Sequence, residues 1–337
     1  MTFHFLRRGA TAPDLSALPA MQALRFDDAD PASLVHAMAR FMAMFDLVRD
    51  GTVNPQRGEV PDDTIDAAIV ANPPPGSLQG LPRLRLIQSL WAGVDRLLGD
   101  ATLPAGVPIA RMVDPAMNAA MAETALWAVL ALHRGFFGYA RQQQQAMWRQ
   151  HPQRRADEVP VLVLGLGQMG GAVARRLAQQ GYPVTAWRRD AGRGPAPDPV
   201  QVATGTAALH AALAGAQVLV NLLPLTPDTR GLLAADLFAR LPRGASVVNL
   251  ARGAHVVDAD LLAALEGGHL AHALLDVFHA EPLAADHPYW RHPQVTVLPH
   301  VAAQTDERSA AAVVAANIAA LADGAPLQHL VRRDAGY

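Results

Sequence analysis

The chain contains neither cysteine nor lysine. Without cysteine there is no disulfide, no thiolate metal site and no thiol nucleophile. That absence suits a reducing compartment, and a cytoplasmic location is expected. Without lysine, every one of the 28 basic side chains is an arginine, and no catalytic ammonium group is available. An excess of either charge is lacking too. The formal net charge is −2, so no nucleic acid or anionic membrane is expected as a partner. The Ala-rich run over residues 119–132 is interrupted by Glu123 and Thr124, and it reads as shorter than the roughly 18–20 residues a spanning helix needs. The opening MTFHFLRRGATAPDL has two arginines with no apolar run behind them, so no secretory leader is expected. Metal-ligand spacing is also lacking. His133, His151, His255, His269, His272, His287 and His292 are scattered without paired ligand spacing, and no metal site is expected.

What is present is globular in composition, with 51% hydrophobic and 17% charged residues. At about 150 residues per domain, 337 residues suggest two domains. Residues 67–71 read as a buried strand stopped by Asn72-Pro73-Pro74-Pro75, because consecutive prolines cannot continue a sheet. Residues 84–90 read as a second strand. Helical periodicity runs from about residue 116 to 148, and Gln142 to Gln145 read as an exposed helix face. A regular beat then begins. Apolar strands at 161–164, 184–187, 218–222, 246–250, 273–277 and 295–298 alternate mostly with helical segments, and a last helix covers about 306–322. Doubly apolar strands separated by helices predict a parallel sheet covered on both faces. Trp127, Trp148 and Trp290 read as packing residues.

Gly165-Leu166-Gly167-Gln168-Met169-Gly170 follows the strand at 161–164 and opens a helix, which is the setting of a dinucleotide-binding turn. Gly165 permits the tight turn, Gly167 lets backbone approach a pyrophosphate, and Gly170 lets helix pack on strand. The helix N-terminus supplies unpaired N–H groups and a positive dipole end. Past the second strand, where an acid would bind a ribose 2′-hydroxyl, stand Arg188 and Arg189. Two guanidinium groups suit a 2′-phosphate, so NADP(H) is expected in preference to NAD(H). Asp190 is the residue that argues for NAD(H).

Arg252, Glu281 and His300 each sit just past the C-terminal end of a predicted strand, where ligands bind in open parallel sheets. Reduction of a ketone by hydride needs a proton donor for the developing alkoxide, and histidine titrates near neutrality. A carboxylate partner favours and orients the imidazolium. An arginine can hold a substrate carboxylate and polarise a carbonyl. The three residues fit a reductase of small 2-oxo acids. His279, close to Glu281, reads as a surface residue.

Several segments resemble the D-isomer-specific 2-hydroxyacid dehydrogenases. Asn118-Ala119-Ala120-Met121-Ala122-Glu123 is similar to the family's N-A-x-x-V-A-E helix. Leu223-Pro224-Leu225-Thr226-Pro227-Asp228-Thr229 is similar to its P-x-T-x-x-T loop. Residues 249–253, 276–282 and 299–300 follow its three catalytic signatures in order. Asn-Leu-Ala-Arg-Gly-x-His-Val-Val at 249–257 and Pro-His-Val-Ala-Ala at 299–303 are most like its glyoxylate/hydroxypyruvate reductase group. The resemblance implies that Arg252 binds substrate, His300 is the acid/base and Glu281 is its partner. It implies that the backbone of Ala92, Gly93 and Val94 helps hold the substrate carboxylate. Gln168 and Met169 of the Gly-rich turn, with Pro224, Thr229, Ala251 and Asp276, would line the cofactor site. Trp91 and Ala71 depart from the family pattern and bear on which 2-oxo acid is used. The implied fold is α/β: a Rossmann-type doubly wound parallel sheet over 115–304 for the cofactor, and a smaller flavodoxin-like substrate domain from 1–114 and 305–337. A homodimer through the long helix is expected. Two other readings are carried. One is a dinucleotide-sensing binding protein, corepressor-like, on the same fold. The other is a 3-hydroxyacid dehydrogenase, suggested by Gly-Leu-Gly-Gln-Met-Gly; the missing lysine and the motif's start at residue 165 speak against it.

Overall fold

The computed structural model describes residues 2–7, 65–190 and 197–337. Two compact units are formed, one by Met1–Ala116 with Thr305–Tyr337 and the other by Met117–Gln304. In the first, β1 (Thr2–Arg7), β2 (Ile65–Ala71), β3 (Leu86–Ser89) and β4 (Ile109–Ala110) pair in that order, all in parallel. Residues 8–64, which bear on the expected flavodoxin-like order, lie outside those described. The short helix α1 (Asp95–Leu98) follows β3, and α8 (Glu307–Asp323) comes from the C-terminal segment. Asp306 caps α8 by accepting from the N–H groups of Arg308 and Ser309. Asn317 of α8 donates to Gln88 Oε1 of β3 at 2.8 Å, and both residues are fully buried.

The second unit opens with the helical run read over 116–148, which is in fact two helices. Gly135 takes a left-handed φ of +73° and ends the run, giving α2 (Pro115–His133) and α3 (Phe136–Gln144). By length and composition α2 is long and apolar enough to cross a membrane, which corrects the reading of its apolar run as too short. Met121, Ala125, Ala128 and Val129 of α2 share one buried cluster with Val161, Val163 and Val173. Trp148 does not pack as expected; it is 95% exposed.

The sheet of this unit contains β5 (Val161–Leu164), β6 (Val184–Arg188), β7 (Gln201–Thr204), β8 (Val218–Asn221), β9 (Ala245–Asn249), β10 (Leu270–Leu275) and β11 (Val295–Val297). Its spatial order is β11-β10-β9-β8-β5-β6-β7, parallel throughout. The chain winds outward from β5 to β7, then returns to β8 on the other side of β5. That reversal is the doubly wound Rossmann pattern, and the switch point between β5 and β8 is where such sheets bind dinucleotides. Alternate strand residues face opposite ways. Val161, Val163, Val220 and Val248 point to the side of α2 and of α4 (Gln168–Gln179). Leu162, Leu164, Leu219 and Val247 point to the side of α5 (Gly205–Gly215), α6 (Ala235–Phe238) and α7 (Asp258–Glu266). β7 has two exposed residues and no apolar run, and the sequence pattern does not anticipate it.

One core residue makes this unit sensitive to acid. His272 of β10 lies flat on Phe137 of α3, with centroids 4.6 Å apart and planes 5° from parallel. Its Nε2 is 2.9 Å from Thr296 Oγ1. Burial, helped by the charges of Arg141 and His292, pushes its pKa down from 6.5 to about 4. The fold therefore favours the neutral ring. That preference contributes fully above pH 6.5 and is lost as pH falls from 6.5 toward 4, a swing of at most roughly 3 kcal/mol. His272→Gln should melt lower at neutral pH yet show a shallower loss of Tm between pH 6.5 and 4 than the parent. A variant as steeply acid-sensitive as the parent would show that this ring is not responsible.

Candidate active site

The Gly-rich turn sits at the switch point, between β5 and α4. Gly165 has φ +97°, and a Cβ there would lie 2.8 Å from the Leu222 carbonyl oxygen beyond β8. Its N–H donates to the Trp187 carbonyl at 2.9 Å. A Cβ on Gly170 would lie 1.8 Å from the Gly165 carbonyl oxygen. Gly167 is different: nothing stands within 4 Å of the position its Cβ would take. Two glycines thus bring chain segments together, while the third leaves open space at the N-terminus of a twelve-residue helix that starts with Gln168 and Met169. The turn fits a pyrophosphate, which needs exposed N–H groups and room for close approach.

Arg188 ends β6 and is half-buried; Arg189 follows and is exposed. Arg189 Nη1 meets Asp228 Oδ2 at 3.0 Å, and its Nε lies 3.6 Å from Asp190. Asp228 belongs to the loop after β8, so one wall of this corner comes from the Pro224–Thr229 turn. In that turn the Thr229 hydroxyl donates to the Pro224 carbonyl at 2.8 Å and accepts from the Thr226 N–H at 2.8 Å.

The loops after β8 and β9 are tied by two buried amides that sequence reasoning missed. Asn221 Nδ2 donates to Asn249 Oδ1 at 3.0 Å. Asn249 Nδ2 donates to the Arg252 carbonyl at 2.9 Å, and Asn249 Oδ1 accepts from the Ala251 N–H at 3.2 Å. His255, fully buried, reaches the Arg252 carbonyl through Nδ1 at 3.2 Å and the Pro224 carbonyl through Nε2 at 3.3 Å. A polar residue closing an otherwise apolar strand was the available signal for both asparagines. The Arg252 guanidinium donates from Nη1 to the Ala251 carbonyl at 2.8 Å.

Glu281 and His300 come from the loops after β10 and β11 and meet directly. His300 Nδ1 donates to Glu281 Oε2 at 2.8 Å, and Glu281 Oε1 accepts from the Phe278 N–H at 2.9 Å. This leaves Nε2 of His300 for a reacting oxygen. The His300 backbone is left-handed, with φ +55°, a conformation that costs a non-glycine residue roughly 1–3 kcal/mol and collects at functional sites. Asp276 holds that turn. Its carbonyl accepts from the His300 N–H at 2.9 Å, and its carboxylate accepts from the N–H groups of Val301 and Ala302 at 2.7 and 3.1 Å. Burial pushes the Asp276 carboxyl upward, partly countered by those two N–H groups and by His300.

Ala92, Gly93 and Val94 lie in the other unit, in the turn from β3 to α1. That turn is braced by the Trp91 N–H on Ser89 Oγ at 3.1 Å and by the Met112 N–H on the Trp91 carbonyl at 3.1 Å. Among the described residues no group of three or more His, Asp or Glu side chains is placed to hold a metal ion.

A glycine-rich turn at the switch point and an acid-buttressed histidine at the C-terminal edge of a parallel sheet define a nicotinamide-binding oxidoreductase of the doubly wound class. The chain belongs to the D-isomer specific 2-hydroxyacid dehydrogenase family: the family's NAD-binding-domain model matches residues 126–302. It is 45% identical to the glyoxylate/hydroxypyruvate reductase A of Serratia proteamaculans over 268 residues, 78% of this chain and 85% of that one. Among solved structures, a D-isomer specific 2-hydroxyacid dehydrogenase from Xanthobacter autotrophicus, in complex with NADPH and MES, superposes with a TM-score of 0.81. The two share 37% identity, with 93% of this chain and 98% of that one covered. An NADPH-dependent glyoxylate/hydroxypyruvate reductase from Sinorhizobium meliloti, in complex with NADP and sulfate, gives a TM-score of 0.79 at 35% identity, covering 91% and 96%.

The two kinds of glycine should separate experimentally. Gly170→Ala forces a Cβ into backbone and should lower Tm. Gly167→Ala meets no protein atom, so it should leave Tm near the parent's while weakening dinucleotide binding, read by nicotinamide fluorescence. Equal Tm losses in both variants would contradict this division.

Proposed function

We propose that this protein reduces glyoxylate or hydroxypyruvate to the 2-hydroxy acid with NADPH. The observation that carries the reading is the 2.8 Å contact between His300 Nδ1 and Glu281, a proton donor with its carboxylate brace beside the turn that carries Arg252. The relatives named above, reductases of these two acids and NADPH-bound structures, support the choice of substrate and cofactor.

The Gly165, Gly167 and Gly170 turn, with Gln168 and Met169 at the start of α4, would hold the pyrophosphate. Arg188 and Arg189 would take the 2′-phosphate, and Pro224, Thr229, Ala251 and Asp276 would flank the rest of the cofactor. A nicotinamide held there would supply the hydride for reduction of the substrate carbonyl. Arg252 binds the substrate carboxylate and polarises the carbonyl. His300 gives the Nε2 proton to the substrate oxygen as the alcohol forms. Glu281 keeps the ring oriented for that transfer. The reductases named above favour this reading over a dinucleotide sensor. The cofactor reading assigns residues 115–304 to the nicotinamide cofactor and 1–114 with 305–337 to substrate. A cytoplasmic homodimer completes the proposal, supported by the absence of cysteine and by exposed Trp127 and Phe136 on α2 and α3.

His300→Ala should lower kcat by about 10²-fold or more with little change in NADPH affinity, because general acid catalysis contributes on that scale. Glu281→Gln should lower kcat with NADPH affinity near the parent's, since the ring loses the carboxylate that orients it 2.8 Å away. Parental turnover in this variant would count against the pairing. Separately, replacing Arg188 and Arg189 with Asp and Ser should shift kcat/KM from NADPH toward NADH. An unchanged ratio would remove the two arginines from cofactor choice.

A further inference from the structure

Behind the loops that carry Arg252 and Glu281 lies a second polar cluster built from different residues. Asp258 opens α7, six positions after Arg252. Its Oδ1 accepts from the Tyr289 hydroxyl at 2.8 Å and lies 3.6 Å from His279 Nε2. Its Oδ2 lies 3.8 Å from His287 Nε2. Tyr289 is 2% exposed. Burial first, and the Asp258 charge second, push its hydroxyl well above the usual range, so it stays a proton donor. His279 stands two residues before Glu281, and its Nε2 is 2.8 Å from the Val256 carbonyl oxygen. A carbonyl can only accept, so Nε2 carries the hydrogen and donates it. One ring thereby joins the segment that carries Glu281 to the segment that carries Arg252.

A steric contact joins the same two segments. A Cβ on Gly253 would lie 2.0 Å from the carbonyl carbon of Phe278 and 2.4 Å from the His279 nitrogen. The chain just after Arg252 therefore lies flush against the peptide that precedes Glu281. Phe278 is also held on its amino side, since its N–H donates to Glu281 Oε1.

We propose that His279, seated on the Val256 carbonyl beside Asp258, is a positioning residue that locks the Arg252 turn to the Glu281 loop and so fixes the spacing between the substrate-binding guanidinium and the proton-donating pair. This rests on the roles given above to Arg252, Glu281 and His300. His279 itself touches neither of the reacting partners. Hydrophobic bulk does not explain its place, because the side chain is 48% exposed and its Nε2 hydrogen is directed at a backbone carbonyl in the neighbouring loop. Misplacing catalytic groups by a fraction of an ångström lowers turnover without touching cofactor affinity.

The test compares His279→Ala and His279→Gln with Arg252→Ala and His300→Ala, assayed by NADPH oxidation with glyoxylate, together with NADPH binding by fluorescence and Tm. His279→Ala should lower kcat roughly tenfold and raise the glyoxylate KM, because both groups lose their fixed spacing. NADPH affinity and Tm should stay near the parent's. His279→Gln keeps an N–H where Nε2 stands and should recover most of the loss. Parental kinetics in His279→Ala, while Arg252→Ala and His300→Ala are crippled, would overturn the lock alone. So would a Gln variant no better than Ala, or a joint fall of kcat, NADPH affinity and Tm. Normal turnover in Arg252→Ala and His300→Ala would instead end the catalytic assignment, and the lock with it.

Discussion

Parallel strands end with backbone groups that the neighbouring strand no longer meets, and buried groups of that kind must find partners. In this sheet they find one another along a single edge. The Leu222 N–H donates to the Leu164 carbonyl, Leu250 to Asn221, Asp276 to Asn249, Leu298 to Leu275, and His300 to Asp276. Each bond carries the chain just past one strand onto the end of the next. The loops that bear the Gly-rich turn, Arg252, Glu281 and His300 are therefore extensions of one ladder. The amides of Asn221 and Asn249 continue it with side chains where backbone runs out. A site made this way inherits the rigidity of the sheet, which catalysis by positioning requires.

The ladder also accounts for the strain it carries. His300 is held left-handed by three hydrogen bonds that all end on Asp276, one on its carbonyl and two on its carboxylate. Hydrogen bonds to a charged acceptor stabilise by roughly 1.5–3 kcal/mol each, enough to offset a conformational cost of similar size. Burial works against the Asp276 charge, and the two N–H groups oppose that effect. The carboxylate is thus both the anchor of the turn and a group whose own ionisation depends on the turn remaining formed.

Much of this was legible in the sequence because it is local. Period and apolarity mark β5, β6, β8, β9 and β10, and the glycine spacing at 165, 167 and 170 marks the switch point. Arg252, Glu281 and His300 each fall just past a strand, and His300 meets Glu281, as the order in the sequence suggests. What escaped depends on partners distant along the chain. His255 is unremarkable until it meets Pro224, 31 residues away. His279 reads as surface, and it is exposed, but its meaning comes from Val256, 23 residues back. β7 is an edge strand with two exposed residues, so it lacks the apolar run that marks its neighbours. The break at Gly135 was legible in principle, since a glycine after the basic pair His133 and Arg134 is a common helix stop. The surrounding helical periodicity on both sides obscured it.

A chain without lysine has only arginine to bring a permanent side-chain cation to a phosphate. Backbone and helix dipole suffice at a pyrophosphate, where the glycines give the ligand room. For the proposed 2′-phosphate contact, the fork of an arginine would replace the point charge a lysine would bring. Arg189 is already engaged with Asp228 and Asp190. Exposed pairs of this kind stabilise by only about 0–1 kcal/mol, whereas a phosphate dianion offers two charges and several acceptors to the same fork. On the proposed reading, a 2′-phosphate would take the place of these carboxylates on the Arg189 guanidinium. The proposed preference for NADPH follows from that inequality between acceptors rather than from an excess of positive charge, which this nearly neutral chain does not have.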